Sequence, residues 1–351
     1  MDCYHKKVKP YGFLEYAAFV SFFPQLVAGP IVLHSELIPQ FLDEKKKKVD
    51  YANLTKGMYI FVLGLSKKVL IADTLSMVVH WGFANYMRID ASNTLLSMVC
   101  FTLQLYFDFS GYCDMARGIG YMFNVQLPSN FLSPYKATSI GEFWKRWHMT
   151  LTRFFTQYLY IPLGGNQKGK VRMYCNIFIV FLVSGFWHGA DWNYVMWGLL
   201  NGICIILYRL TKDYIPKIPK AICVAGTFIL TNFLFCFFKV ALVRYGFEMI
   251  WNVFTGSWGS IESGICKLIN ETTEIRIISR FGLESLINQY PGMPLLILVA
   301  GCLVGVLFMK NTEEKTEVFH PTVWKMITFS ILLTWSVVSL GEVSEFLYFN
   351  F

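Results

Sequence analysis

Charge is what this sequence has least of. Only 15% of its 351 residues are charged and 55% are hydrophobic, where a soluble domain carries about 25% charged residues. That shortfall excludes an ordinary water-soluble chain. It predicts an all-α, polytopic membrane bundle, since helices satisfy their own backbone groups where lipid cannot. Familiar catalytic signatures are missing too: there is no GxSxG, HExxH or GxxxxGK[ST]. "GIG" at 118–120 lacks the rest of a dinucleotide fingerprint. The nine cysteines stand scattered at 3, 100, 113, 175, 204, 223, 236, 266 and 302, with no CxxC pair. Such spacing argues against a zinc site or a disulfide framework, and leaves small buried apolar residues. The net charge of +8 comes without a basic domain outside the membrane, so no nucleic-acid partner is expected. Lys and Arg in short loops anchor the cytoplasmic side instead. No cleavable signal peptide is expected: "MDCYHKKVKP" is polar and basic, and the apolar run after it is broken by Pro24, Gly29 and Pro30.

What is abundant is apolar and aromatic: 32 Phe, 19 Tyr and 10 Trp, rings that favour the headgroup zones. Residues 13–33 read as a helix that enters the membrane and then, at Pro24 and the Gly29-Pro30 pair, bends or re-enters. "DEKKKKVD" follows as a solvated cytoplasmic loop. Residues 57–87 are split by Lys67-Lys68, which predicts a partly interfacial helix and then a span. Residues 94–123 form a long apolar run containing Asp108, Ser110 and Asp114. The stretch 124–170 is polar, aromatic and basic. In it Ser139 and Glu142 form a capping-box signature. Ile140, Trp144, Trp147, His148 and Leu151 then fall on one face of an expected amphipathic helix. Apolar runs resume near 173–190, 192–210, 221–243, 293–309 and 323–340, and residues 244–292 read as an extramembrane loop with short helices. With about 20 residues per span, eight to nine spans are expected, one or more of them re-entrant. No internal repeat is visible.

The candidate chemistry starts at "FLVSGFWHGADW", 181–192. Ionisable residues at membrane depth are costly and face a bundle interior or a wet cavity, so His188 is either a structural contact or a catalytic base. Gly185 and Gly189 bracket it and permit close approach. His148 lies 40 residues earlier, beside Trp144 and Trp147. Two histidines lack the third protein ligand that a metal site needs. Asp108 and Asp114 point about 120° apart on a straight helix, so no metal is expected. Asp108 and Ser110 belong either to a structural network or to the lining of a site.

The motifs "FVSFFPQLVAGPIV", "FDFSGYCDMARGIGYMF", "SIGEFWKRWHMTLT", "YLYIPLGGN" and "SGFWHGADWNYVMWGLLNG" stand in that order along nearly the whole chain. They resemble the membrane-bound O-acyltransferase family, most of all its polysaccharide branch of alginate O-acetyltransferase-like proteins; the ending "EFLYFNF" is similar as well. The resemblance implies one membrane domain over 1–351 that moves an acetyl group from a cytoplasmic donor, acetyl-CoA, toward hydroxyls of an extracytoplasmic polysaccharide, often through a secreted SGNH-type partner. It places the protein in the bacterial cytoplasmic membrane, with no bound cofactor. The family's invariant histidine maps onto His188 and its second polar position onto His148. Trp187, Trp144, Lys145, Arg146, Asp108, Ser110, Asp114 and Asn166 are the candidate substrate-binding residues, with Lys145 and Arg146 set to attract the phosphates of CoA. The chemistry agrees, because histidine is the usual base for activating a hydroxyl at neutral pH.

The sequence departs from the family at Leu33 (commonly Arg), at Thr156-Gln157 (commonly Arg-Asp) and at Asn201 (commonly His). The family also usually carries several spans before "FVSFFPQ", so early spans are expected to be lacking here. Three rival readings follow. One is D-alanyl transfer to teichoic acid. Another is a transporter with a His188–His148–Asp108 proton relay. The third is a non-catalytic export subunit.

Overall fold

The computed structural model describes residues 11–26, 29–214, 216 and 218–340, and among these every regular element is helical. The opening decapeptide and the "EFLYFNF" ending lie outside them. The first apolar run, 13–33, holds one short helix, α1 (Phe13–Ser21), and a 3-10 turn at Phe23–Gln25; a second short helix, α2 (His34–Leu42), follows it. The lysine run follows as a largely exposed 3-10 turn, Glu44–Lys47.

Asp50 starts α3 (Tyr51–Ser66) by accepting the amides of Ala52 and Asn53 at 2.9 and 3.1 Å. The division expected at Lys67-Lys68 is absent. Lys67–Ala72 wind as a π-helix that carries α3 without interruption into α4 (Asp73–Ala84). The reason is pairing: Lys67 meets Asp114 at 2.6 Å and Lys68 meets Asp108 at 2.7 Å. Both carboxylates stand on α5 (Ala91–Met122), 32 residues long and the most buried helix of the protein. Adjacent residues on a helix diverge by about 100°, nearly the divergence of residues six apart, so two neighbouring lysines suit these two carboxylates. Glycines let α3 and α5 touch. A Cβ on Gly57 would stand 2.5 Å from the Gly118 oxygen, and one on Gly64 would stand 2.5 Å from the Gly111 oxygen. Two pairs of small residues, seven apart on each helix, thus set a backbone-to-backbone contact.

The polar middle of the chain forms α6 (Ile140–Arg146) and α7 (Met149–Phe155). Two long helices follow, α8 (Gly169–His188) and α9 (Trp192–Thr211), packed as an antiparallel hairpin, and then α10 (Lys220–Lys239). Among the described residues these three are the single helices both long and apolar enough to cross a membrane. Short helices occupy 243–289, as expected: α11 (Val243–Thr255), α12 (Ser263–Asn270), α13 (Thr273–Ile278) and α14 (Glu284–Gln289). The segment 273–289 meets α15 (Met293–Phe308) at a bend of 101°, the geometry of a broken span or of a re-entrant loop. α16 (Thr312–Glu317) and α17 (Val323–Val338) complete the described chain. The eight to nine spans expected are therefore not found as unbroken apolar helices. Breaks divide several of the runs, and α5 carries charges that are paired inside the protein rather than turned to lipid.

Candidate active site

His188 ends α8, and its position is set by the α8–α9 hairpin. A Cβ on Gly185 would lie 2.5 Å from the Tyr194 oxygen, and one on Gly198 would lie 2.4 Å from the Phe181 oxygen. The two backbones therefore approach as only glycine allows. This closeness brings Trp197 of α9 against the imidazole. The His188 ring is 5% exposed. It stands nearly perpendicular to Trp187, Trp197 and Phe238, at centroid distances of 4.9, 5.2 and 4.9 Å. Aromatic walls fix its orientation.

His148 is not on a helix. It breaks the amphipathic pattern between α6 and α7 in the left-handed region, at φ 43° and ψ 54°. The single helix expected through Leu151 is therefore two helices. A non-glycine residue held there costs about 1–3 kcal/mol and persists only when its surroundings over-determine it. Asn130 supplies that constraint. Its carbonyl accepts the Met149 amide at 3.0 Å, and Leu132 donates to the Arg146 carbonyl at 3.0 Å alongside. The Asn130 side-chain oxygen also accepts from the Thr150 amide (3.1 Å), from the Thr150 hydroxyl (2.7 Å) and from His148 Nδ1 (3.3 Å). Thr150 Oγ1 in turn accepts the Ile31 amide at 3.0 Å, so its proton is free for Asn130. An amide oxygen can only accept, so Nδ1 of His148 carries the proton and Nε2 keeps a lone pair.

Both histidines line one cavity of about 950 Å³. Its walls include Trp144 and Trp197, packed edge to face at 5.5 Å. The indole N–H of each is buried without a hydrogen-bond partner, an expensive state unless something else supplies an acceptor. The same cavity reaches Lys170 in the first turn of α8 and Arg209 and Lys212 at the far end of α9. Lys170 and His188 are about 27 Å apart along the helix axis at 1.5 Å per residue. Lys145 joins this lining. The cavity thus runs from a cation-rich mouth to two buried imidazoles.

Several expected lining residues lie elsewhere. Arg146 is taken by Glu142, at 3.1 and 2.7 Å, and by the Leu132 carbonyl. Burial pushes the Glu142 carboxyl up, but the Thr138 amide and hydroxyl and the Arg146 guanidinium outweigh it and hold the group below its ordinary value. The capping box is half formed: Ser139 accepts the Glu142 amide at 3.2 Å, while the Glu142 carboxylate serves Thr138. Trp187 touches the rings of His188 and His148 (4.9 and 6.3 Å) yet is half-exposed and outside the cavity lining. Asn166 is exposed in the turn after α7. Asp108 and Asp114 are held by the lysines of the π-helix, and Ser110 and Asp114 border a separate small pocket. The departures are local. Asn201 donates to the Trp197 carbonyl at 2.8 Å, Thr156 lines the cavity, and the Leu33 amide donates to Glu36, which also pairs with Arg153.

Sequence reasoning missed Asn130, Trp197, Lys170, Arg209 and Lys212. Trp197 had a signal, lying nine residues after His188 in the same quoted motif. Asn130 had none, because a loop asparagine becomes informative only when its partner is seen.

Residues 1–247 match the sequence profile of the membrane-bound O-acyltransferase family. A peptidoglycan O-acetyltransferase of Helicobacter pylori is 38% identical over 348 residues, 97% of this chain and 64% of that protein. A probable alginate O-acetylase AlgI of Pseudomonas putida is 33% identical over 345 residues, 96% and 69% respectively. The teichoic acid D-alanyltransferase of Bacillus subtilis is more distant, 29% identical over 57% of this chain and 52% of its own length. The chain thus spans about two thirds of the two more similar relatives. A profile covering most of the chain and two such relatives agree with the paired histidines in one buried cavity: the chain belongs to the membrane-bound O-acyltransferase family.

Proposed function

We propose that the protein transfers an acetyl group from acetyl-CoA, taken from the cytoplasmic side of a bacterial inner membrane, to a hydroxyl of a cell-envelope polysaccharide outside it. A secreted SGNH-type protein is the proposed partner for the outer half of the reaction. One observation carries the reading: a single cavity holds His188 and His148 together with Lys145, Lys170, Arg209 and Lys212, the last also 3.9 Å from Asp213. Those cations suit the phosphates of CoA, and the depth of the cavity suits its extended thiol arm. His188 takes the proton of the acceptor hydroxyl as the oxygen attacks the thioester carbonyl carbon. The orphan indole N–H groups of Trp144 and Trp197 receive the developing oxyanion. Collapse of the tetrahedral intermediate breaks the carbon–sulfur bond, and the proton passes from the imidazolium to the leaving thiolate. His148, with its Nδ1 proton fixed by Asn130, orients the acceptor through Nε2.

The relay alternative is weaker, since Asp108 faces Lys68 and lies outside the lining of this cavity. D-alanyl transfer is the second acyl reading, and it rests on the more distant relatives. The test is transfer of labelled acetyl from acetyl-CoA in proteoliposomes to a soluble polysaccharide acceptor. Trp197→Phe keeps the ring and removes the donor, and should lower kcat by about 10²-fold with KM for acetyl-CoA little changed. Wild-type protein inert with acetyl-CoA but active with a D-alanyl carrier thioester would transfer the assignment to the second reading.

A further inference from the structure

A second cavity, of about 640 Å³, shares no lining residue with the first. Tyr106 of α5 stands between them, lining the second and packing its ring 6.3 Å from that of Trp147. The walls are apolar: Leu63 and Leu70 from the α3 side, Ile297 and Leu298 from α15, and Leu332 from α17. Gly301 and Gly305, one turn apart on α15, both line it, and a Cβ added at either would meet no atom within 4 Å. Small residues at this spacing usually bring helices together. Here they leave a smooth slot between helices.

One end of the slot is polar, and cations outnumber carboxylates in its lining. Lys67 is committed to Asp114 (2.6 Å) and Thr312 (2.9 Å). Glu313 pairs with Arg117, and Glu314 caps α16 by accepting the Asn311 amide at 2.9 Å. Lys315, partly buried, and Lys310 both line the cavity and have no ion-pair partner among the described residues. The one carboxylate in the lining, Glu274, lies with α13 and accepts from Trp335 (3.1 Å) and Ser339 (3.0 Å). The polar end also has a place in the membrane. The Arg117–Glu313 pair sets α16 beside the last turns of α5, and just beyond them Asn124 donates to the carbonyls of Lys46 and Lys48. That is the side carrying the lysine run, expected to be cytoplasmic.

From this arrangement we infer that the cavity is a binding site for an anionic phospholipid of the cytoplasmic leaflet, with one acyl chain along Gly301 and Gly305 and the phosphate against Lys310 and Lys315. Basic pockets between spans on that side suit anionic headgroups, and each lysine adds about 1 kcal/mol. The inference does not rest on the acyl-transfer reading.

The experiment is native mass spectrometry of the full chain in mild detergent, offered equal amounts of dioleoylphosphatidylglycerol and dioleoylphosphatidylcholine. Wild-type protein should retain phosphatidylglycerol about tenfold better. Lys310→Gln with Lys315→Gln should abolish the preference, and arginine at both positions should restore it. Gly301→Leu with Gly305→Leu should fill the slot and lower retention of both lipids, without touching the histidine cavity. Thermal unfolding in the same detergent checks that each variant folds, and the two pairs of variants fail independently. Equal retention of the two lipids by wild-type protein would overturn the site, as would a glutamine variant that keeps the preference. Displacement of bound phosphatidylglycerol by an equimolar polyprenyl phosphate would overturn the assignment to a phospholipid.

Discussion

Asn130 holds the turn at His148 twice, its carbonyl accepting the Met149 amide and its side-chain oxygen accepting from His148 Nδ1, and that double hold makes a left-handed histidine tenable. Asn130→Ala removes the side-chain half. It should leave the fold in place yet lower acetyl transfer by about 10²-fold, the scale of a small misplacement at a reacting centre. Single-turnover rates would show this, with His148 mobility read by NMR of labelled imidazole. His188 is different, because its orientation comes from aromatic walls and the close α8–α9 approach. His188→Ala removes one polar group from the end of a span and should not impair insertion. It should lower transfer by at least ~10²-fold, the lower end of what a positioned general base contributes. A well-folded His188→Ala protein with near wild-type transfer would return that histidine to a structural role.

The π-helix at Lys67–Ala72 is where element and charge meet. A straight reading divides the helix at its lysines, whereas the chain keeps helical hydrogen bonding and buries both cations against α5. Removing one partner of a buried pair costs about 3–5 kcal/mol, and removing both can be nearly neutral. Lys68 also bridges Asp73 at 2.8 Å, so Lys68→Met should lower the thermal midpoint of the purified protein strongly, and adding Asp108→Asn, which removes the more buried of its two carboxylates, should recover part of the loss. Equal loss in the single and double variants would mean that the pair is not a coupled unit. Gly64→Leu tests the same contact from the backbone side: a side chain there collides with the α5 main chain, so it should reduce folded yield.

For the whole molecule, two features set the direction of the chemistry. The cation-rich end of the histidine cavity lies at the Lys168–Arg172 end of α8; this stretch, expected as a loop but wound into the first turn of α8, and the Lys45–Lys48 turn should both be cytoplasmic. An impermeant thiol reagent added to intact cells should label single cysteines placed in either segment only after the membrane is opened. Rapid labelling of both from outside would invert the assignment. If the mouth binds a polyanion, Lys170→Gln with Arg209→Gln and Lys212→Gln should raise KM for acetyl-CoA while kcat stays near wild type, the signature of lost uniform binding. Added salt should narrow the difference between wild type and variant, because it screens exposed charge.

Composition and order of motifs determined much of this. Low charge and long apolar runs required helices in lipid, a buried histidine required a reason to be there, and the apolar runs after residue 173 lie within a few residues of α8, α9, α10, α15 and α17. These are local properties, readable because a helix hydrogen-bonds within itself and its pattern is contiguous. What only the tertiary structure decided is how polar groups are shared between distant segments. Asp108 and Asp114 look like site residues until the lysines some 40 positions away are seen to claim them. Arg146 looks like an anion ligand until Glu142, four residues back, takes it. The break at His148 needs Asn130, 18 residues upstream, and nothing in the helix period announces it. A buried donor or charge takes whichever partner folding brings within about 3 Å, and that choice lies in the packing of helices rather than in the pattern along any one of them.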